Sequence, residues 1–80
     1  MKAMIKVTLK NGVLDPQGKA IMGSLGSLGF EGYDNVRQGK YFELNIEAPS
    51  KSEAQAKVKD MCEKLLANTV IENYDIEIAD

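Results

Sequence analysis

The chain has 80 residues, 44% of them hydrophobic and 28% charged, with a net charge of −2, one Cys, and neither His nor Trp. A domain this small buries only about 60–65% of the surface of its unfolded chain, so its core is thin and a second subunit is an obvious remedy. No basic tract gathers phosphates, no run approaches the ~18 apolar residues of a membrane span, and a lone Cys forms no internal disulfide, so a single domain over residues 1–80 in the cytoplasm is expected.

From Met4 to Lys10 the chain alternates, with Ile5, Val7 and Leu9 on one face and Lys6, Thr8 and Lys10 on the other. That is the pattern of a half-buried strand. Asn11-Gly12 turns the chain. Asp15-Pro16 then opens a helix: the Asp side chain accepts from free N–H groups, and Pro at the first helical position loses no bond. Ile21, Leu25 and Leu28 fall at helical spacing, and Gly29 followed by Phe30 reads as a C-terminal stop with a hydrophobic anchor. Gly23 and Gly26 inside this helix point to close approach of another backbone, or to a weak helix.

Tyr33 to Ile46 reads as one long or bent strand, or a hairpin, with Gln38-Gly39 at the bend and Phe42, Leu44 and Ile46 alternating with Tyr41, Glu43 and Asn45. Ser50 and Glu53 form a capping box ahead of a second helix. Its apolar stripe is Ala54, Val58, Met61, Cys62 and Leu65, and Asn68 is expected as a left-handed cap at its end. Tyr74, Ile76 and Ile78 make a closing strand. The order strand-helix-strand(-strand)-helix-strand predicts an α+β fold, with two helices packed on one face of a small, mostly antiparallel sheet. The opposite face is polar and the sheet has free edges, which invites dimerisation.

Catalytic chemistry finds little support. Cys62 lies on the apolar stripe and, without any His, has no base to activate it; a buried, inert thiol is expected. The carboxylates Asp15, Glu31, Asp34, Glu43 and Glu47 are scattered, and no cluster has metal-ligand spacing. The glycines do not form a phosphate-binding loop in a strand-to-helix context. Arg37 and Lys40 stand together at a bend, either as a solvated turn or as two cations offered to a partner's carboxylate or a phosphate.

Several motifs occur in order along the chain: Gly12-Val13-Leu14-Asp15-Pro16-Gln17-Gly18, Leu28-Gly29-Phe30, Val36-Arg37-Gln38-Gly39-Lys40 and Leu65-Leu66-Ala67-Asn68. In this order and spacing they resemble the PurS family, the small subunit of phosphoribosylformylglycinamidine synthase, over almost the whole chain. One departure is Thr69, where the family commonly has Pro. The resemblance implies a non-catalytic subunit of an ATP-dependent ligase of purine biosynthesis, dimeric or tetrameric. Its partners would be a synthetase (PurL-type) and a glutaminase (PurQ-type) subunit. It would bridge them and support ammonia transfer, contacting no nucleic acid or membrane. It would bind no cofactor itself, with ATP, Mg and glutamine used by the partners. On this reading Lys10, Asn11, Gln17, Arg37 and Lys40 are the candidate contacts with the synthetase. An alternative from another class is a small-molecule-sensing regulatory module of the ACT type, which the fold alone would permit.

Overall fold

A computed structural model describes all 80 residues. The chain runs as strand β1 (Lys2–Leu9), helix α1 (Pro16–Ser27), strand β2 (Gly39–Asn45), helix α2 (Lys51–Met61) and strand β3 (Glu72–Ala79). A π-helical turn, Cys62–Leu66, extends α2. The sheet is antiparallel throughout in the order β2-β1-β3, so both outer strands keep a free edge.

The register explains the core. Ala3, Ile5 and Val7 of β1 face Leu44 and Phe42 on one side and Ile78, Ile76 and Tyr74 on the other. Ala54 and Val58 of α2 and Cys62 at the start of the π turn lie across them, and all six of these residues are fully buried. The four-residue spacing of the α2 set puts it on one face, where it completes the apolar layer. Ser50 caps α2, its Oγ accepting from the Glu53 N–H at 3.2 Å. Cys62 sits where expected, and burial pushes its thiol pKa up.

The α+β class and the element order are as the sequence predicts; the position of α1 is the main difference. No residue between Thr8 and Tyr41 belongs to the core or packs against it. The only buried residue of α1 is Gly18. The chain is accordingly long, 51 × 26 × 15 Å with a radius of gyration of 16.0 Å, where a compact fold of this length has about 12 Å. Within one chain, α2 alone covers the sheet and α1 projects from its end as an arm.

Three local expectations are corrected. Only Gly39–Asn45 of the stretch from Tyr33 is strand; before it, left-handed backbone at Gly32 (φ 80) and Asn35 (φ 55) breaks extension. Leu65 is 83% exposed, because the wider π turn, closed by Ala67 N–H to the Cys62 carbonyl at 3.0 Å, swings it off the stripe and puts Leu66 inward instead. Asn68 is not left-handed. It folds the turn before β3, its Oδ1 accepting from the Val70 N–H (3.2 Å) and its carbonyl from the Ile71 and Glu72 N–H groups (3.0 and 2.7 Å). That side-chain turn holds the bend at Thr69, with no proline there.

Candidate functional site

The end of the sheet where β1 stops and β2 starts carries all five candidate side chains. β1 and β2 last pair at Thr8 and Gly39. The approach there is tight: a Cβ on Gly39 would lie 2.4 Å from the Val7 carbonyl oxygen, so only glycine fits without a backbone shift. Beyond this point the chain turns at Gly12 (φ 85), enters α1, and returns along Tyr33–Gln38 to the same place.

Asp15 closes the root of that excursion. Its Oδ1 accepts from the Gly18 N–H at 2.8 Å, which caps α1 as the sequence predicts. Its Oδ2 accepts from the Gln38 N–H, also at 2.8 Å, which the sequence reading missed. These two bonds, led by that from Gln38, hold the Asp15 carboxyl below the usual carboxylate range. Gln38 Nε2 donates to Gln17 Oε1 at 2.7 Å. Gly18 fits only as glycine, since a Cβ would stand 2.5 Å from the Val36 carbonyl oxygen.

Arg37 is exposed, but its guanidinium is bonded back onto the chain. Its Nη1 donates to Asn11 Oδ1 at 3.0 Å, and its Nη2 donates to the carbonyls of Leu9 and Lys10. Lys40 is apart from it, on the far side of the Gly39 crossing. The ammonium lies 3.4 Å from Glu72 Oε2 and the same distance from the Leu66 carbonyl. The Glu72 carboxylate, only 13% exposed, also accepts from the Asn68 N–H at 2.7 Å. Lys40 therefore ties β2 to the turn before β3. So the structure joins Asn11 to Arg37 and Gln17 to Gln38, and sets Lys40 in a second cluster. The Lys10 side chain enters no ion pair.

Two shallow clefts of about 270 Å³ flank the root. One runs between Asn11–Asp15 and Asn35–Arg37, with Lys19 at its rim. The other lies between Pro16-Gln17 and Gln38–Lys40, with Glu72 also lining it. Among the lining side chains, Asn11, Asp15, Arg37 and Gln38 are held in hydrogen bonds that build the fold. No three His, Cys, Asp or Glu residues gather closely enough to hold a metal, and no helix is long and apolar enough to cross a membrane.

The arm beyond the root is apolar where nothing covers it: Leu14, Leu28 and Phe30 are 63%, 74% and 59% exposed. α1 ends in a Schellman motif, with Phe30 N–H to the Leu25 carbonyl and Gly29 N–H to the Gly26 carbonyl, both 3.1 Å, and Gly29 at φ 90. Tyr33 Oη donates to the Met22 carbonyl at 2.9 Å and braces the return segment on the helix.

Residues 2–80 match the family model of PurS, phosphoribosylformylglycinamidine (FGAM) synthase. The chain belongs to the PurS family. It is 53% identical over 74 residues to the PurS subunit of this synthase from Synechocystis, covering 92% of this chain and 74% of that one. The crystal structure of PurS from Methanocaldococcus jannaschii superposes with a TM-score of 0.90 at 37% identity, covering 99% of this chain and 95% of that chain. The structure of PurLQS from Thermotoga maritima contains a chain matching with a TM-score of 0.88 at 36% identity, covering 95% and 93%. The PurS resemblance thus holds in sequence and in fold, and nothing in these likenesses supports the regulatory-module alternative.

Proposed function

We propose that this chain is the small, non-catalytic subunit of phosphoribosylformylglycinamidine synthase in purine biosynthesis, working in the cytoplasm as part of a three-subunit assembly. The observation that carries this reading is the near full-length match to PurS, including the chain from a PurLQS structure. The synthetase subunit uses ATP and Mg, the glutaminase subunit uses glutamine, and this chain bridges the two and supports transfer of ammonia between them. A chain with no His and a buried Cys contributes contacts rather than a general base or nucleophile.

The assembly begins with a second copy of this chain. The accessible surface is 5771 Å², against roughly 4,800 Å² for a compact protein of this mass. The excess of about 1,000 Å² is the size of one side of a standard protein interface. The exposed apolar side chains of the arm, Leu14, Leu28 and Phe30, mark the surface we assign to the dimer. The polar end of the sheet is the surface we assign to the synthetase, with Lys10, Gln17 and Lys40 as the contacts, while Arg37 and Asn11 are bonded to each other and brace it from within the chain.

Reconstitution tests this. Product formation with glutamine is followed for the synthetase and glutaminase subunits with and without this chain, and again with ammonium salt replacing glutamine. Glutamine-dependent turnover that requires all three chains, with a smaller requirement when ammonium is the donor, supports the bridging role. Equal dependence with both donors overturns it in favour of a structural effect on the synthetase. Full glutamine-dependent turnover without this chain overturns the subunit reading itself.

A further inference from the structure

We infer that Arg37 is the pin that fixes the direction of the α1 arm, while Asp15 closes the arm on itself at its root. Residues 14–38 leave the sheet and return to the same end of it, and none of them enters the core. Apart from the chain itself, every hydrogen bond joining this arm to β1 and the turn after it comes from the Arg37 guanidinium, to the Leu9 and Lys10 carbonyls and to Asn11 Oδ1. No ion pair spans the junction. The strand ladder ends at the Thr8–Gly39 pair, and Arg37 begins bonding where the ladder stops.

The chemistry explains why one side chain suffices. A guanidinium is a rigid planar fork of five donors, so it bonds several oxygens converging from one side, whereas a lysine ammonium is a single point on a flexible stem. Asp15 does the complementary task within the arm. By accepting from both the Gly18 and the Gln38 N–H groups it ties the start of α1 to the end of the return segment. The arm is then a closed loop that moves as one body about its junction with β1.

Leverage makes the pin matter. At 1.5 Å per residue the twelve residues of α1 span ~18 Å. A 10° swing at the root therefore displaces the tip by about 3 Å, enough to take apolar side chains out of contact. An arm that must meet another surface in one direction is held in it by a residue that touches neither that surface nor the core.

Arg37 is thus a positioning residue, and two readouts test it. For the first, spin labels are placed at exposed positions on α1 (Ser24→Cys) and α2 (Gln55→Cys), with labelled chain diluted into unlabelled so that only the distance within one chain is read. The parent chain is expected to give one narrow distribution. Arg37→Gln is expected to at least double its width with the melting temperature of the body little changed, and Arg37→Lys to fall between. An unchanged width in Arg37→Gln overturns the inference; if that variant does not fold, the width in Arg37→Lys decides in its place.

The second readout rests on the subunit reading. In reconstituted synthase, a less populated arm direction raises the concentration of small subunit needed for half-maximal glutamine-dependent turnover and leaves the plateau unchanged, because apparent affinity scales with the competent fraction. A tenfold rise for Arg37→Gln is expected. A lowered plateau at unchanged half-saturation overturns the positioning role. If the parent chain supports no turnover at all, the subunit reading fails, and the distance measurement still decides the pin.

Discussion

The body of this chain and its arm are built on opposite principles. In the body, β1 is central, both faces of its pairing are occupied, and Ile5, Val7, Val58 and Cys62 are removed from water entirely. In the arm, a twelve-residue helix carrying Gly18, Gly23 and Gly26 is short of the length at which an isolated helix is stable in water. It is held at one end by polar bonds and along its length by little else. The body therefore folds by burial, and the arm is held by hydrogen bonds at its root with Leu14, Leu28 and Phe30 left exposed.

Paired truncations sharpen that contrast most. Ile5→Ala in the body is expected to cost about 3 kcal/mol, as a large-to-small change in a closed core. Ile21, 39% exposed on the arm, is expected to cost under about 0.5 kcal/mol on the same change in the monomeric chain. Urea unfolding at low protein concentration, where association does not contribute, reads both. Equal losses would mean that the arm shares the core and would break the comparison.

Glycines within α1 give the next largest effect, with opposite signs one or two turns apart. Gly18→Ala places a methyl group 2.5 Å from the Val36 backbone oxygen and 2.7 Å from Asp15 Oδ2, so the root must open, at a cost of roughly 1–3 kcal/mol. Gly23 has open space around its Cβ position, so Gly23→Ala is expected to raise helicity and add about 0.5–1 kcal/mol. Circular dichroism with urea titration separates the two. A gain for both would mean that the root is not closed.

The body was legible in the sequence because its signals are local and redundant. The β1 alternation, the Ser50 cap and the α2 stripe through Cys62 each imply one arrangement, and the buried set and the Ser50 bond bear it out. The arm's direction was not legible. Ile21, Leu25 and Leu28 make an apolar stripe, and a stripe reports that a face needs cover without saying whether the cover is the chain's own sheet. Leu65 was misplaced because helical counting assumes a constant pitch, and the π turn after Met61 breaks it. At the candidate site the residue types were read and their partners were not. Arg37 and Lys40, three apart in sequence, serve separate clusters because the strand crossing at Gly39 lies between them.

Acidification isolates the root without altering any side chain's size. Asp15 titrates below its ordinary value, so its contribution is complete above about pH 3.9, the usual value for Asp, and is lost as pH falls through the lower folded value. The Gly18 and Gln38 amide resonances are expected to shift together with that single low midpoint, and Asp15→Asn to abolish the shift while the amides of β1 stay unmoved. Amides of arm and β1 shifting as one would mean that the root and the body open together.

The smallest effect lies in the body, where the π turn meets β3. Tyr74 Oη donates to Glu63 Oε2 at 2.7 Å, and this bond, then desolvation, then the carboxylate's charge push the phenol up to about 12. A phenol held neutral in the folded state adds stability that is complete below the ordinary value of about 10 and disappears as pH rises through 12. Absorbance at alkaline pH, taken as the difference from Tyr74→Phe, is expected to show that high midpoint. Glu63→Ala removes both the acceptor and the charge, the first and third causes of the shift, so the midpoint should move down toward 10. A midpoint that stays near 12 in Glu63→Ala would assign the shift to burial of the ring against the core rather than to its bond with the π turn.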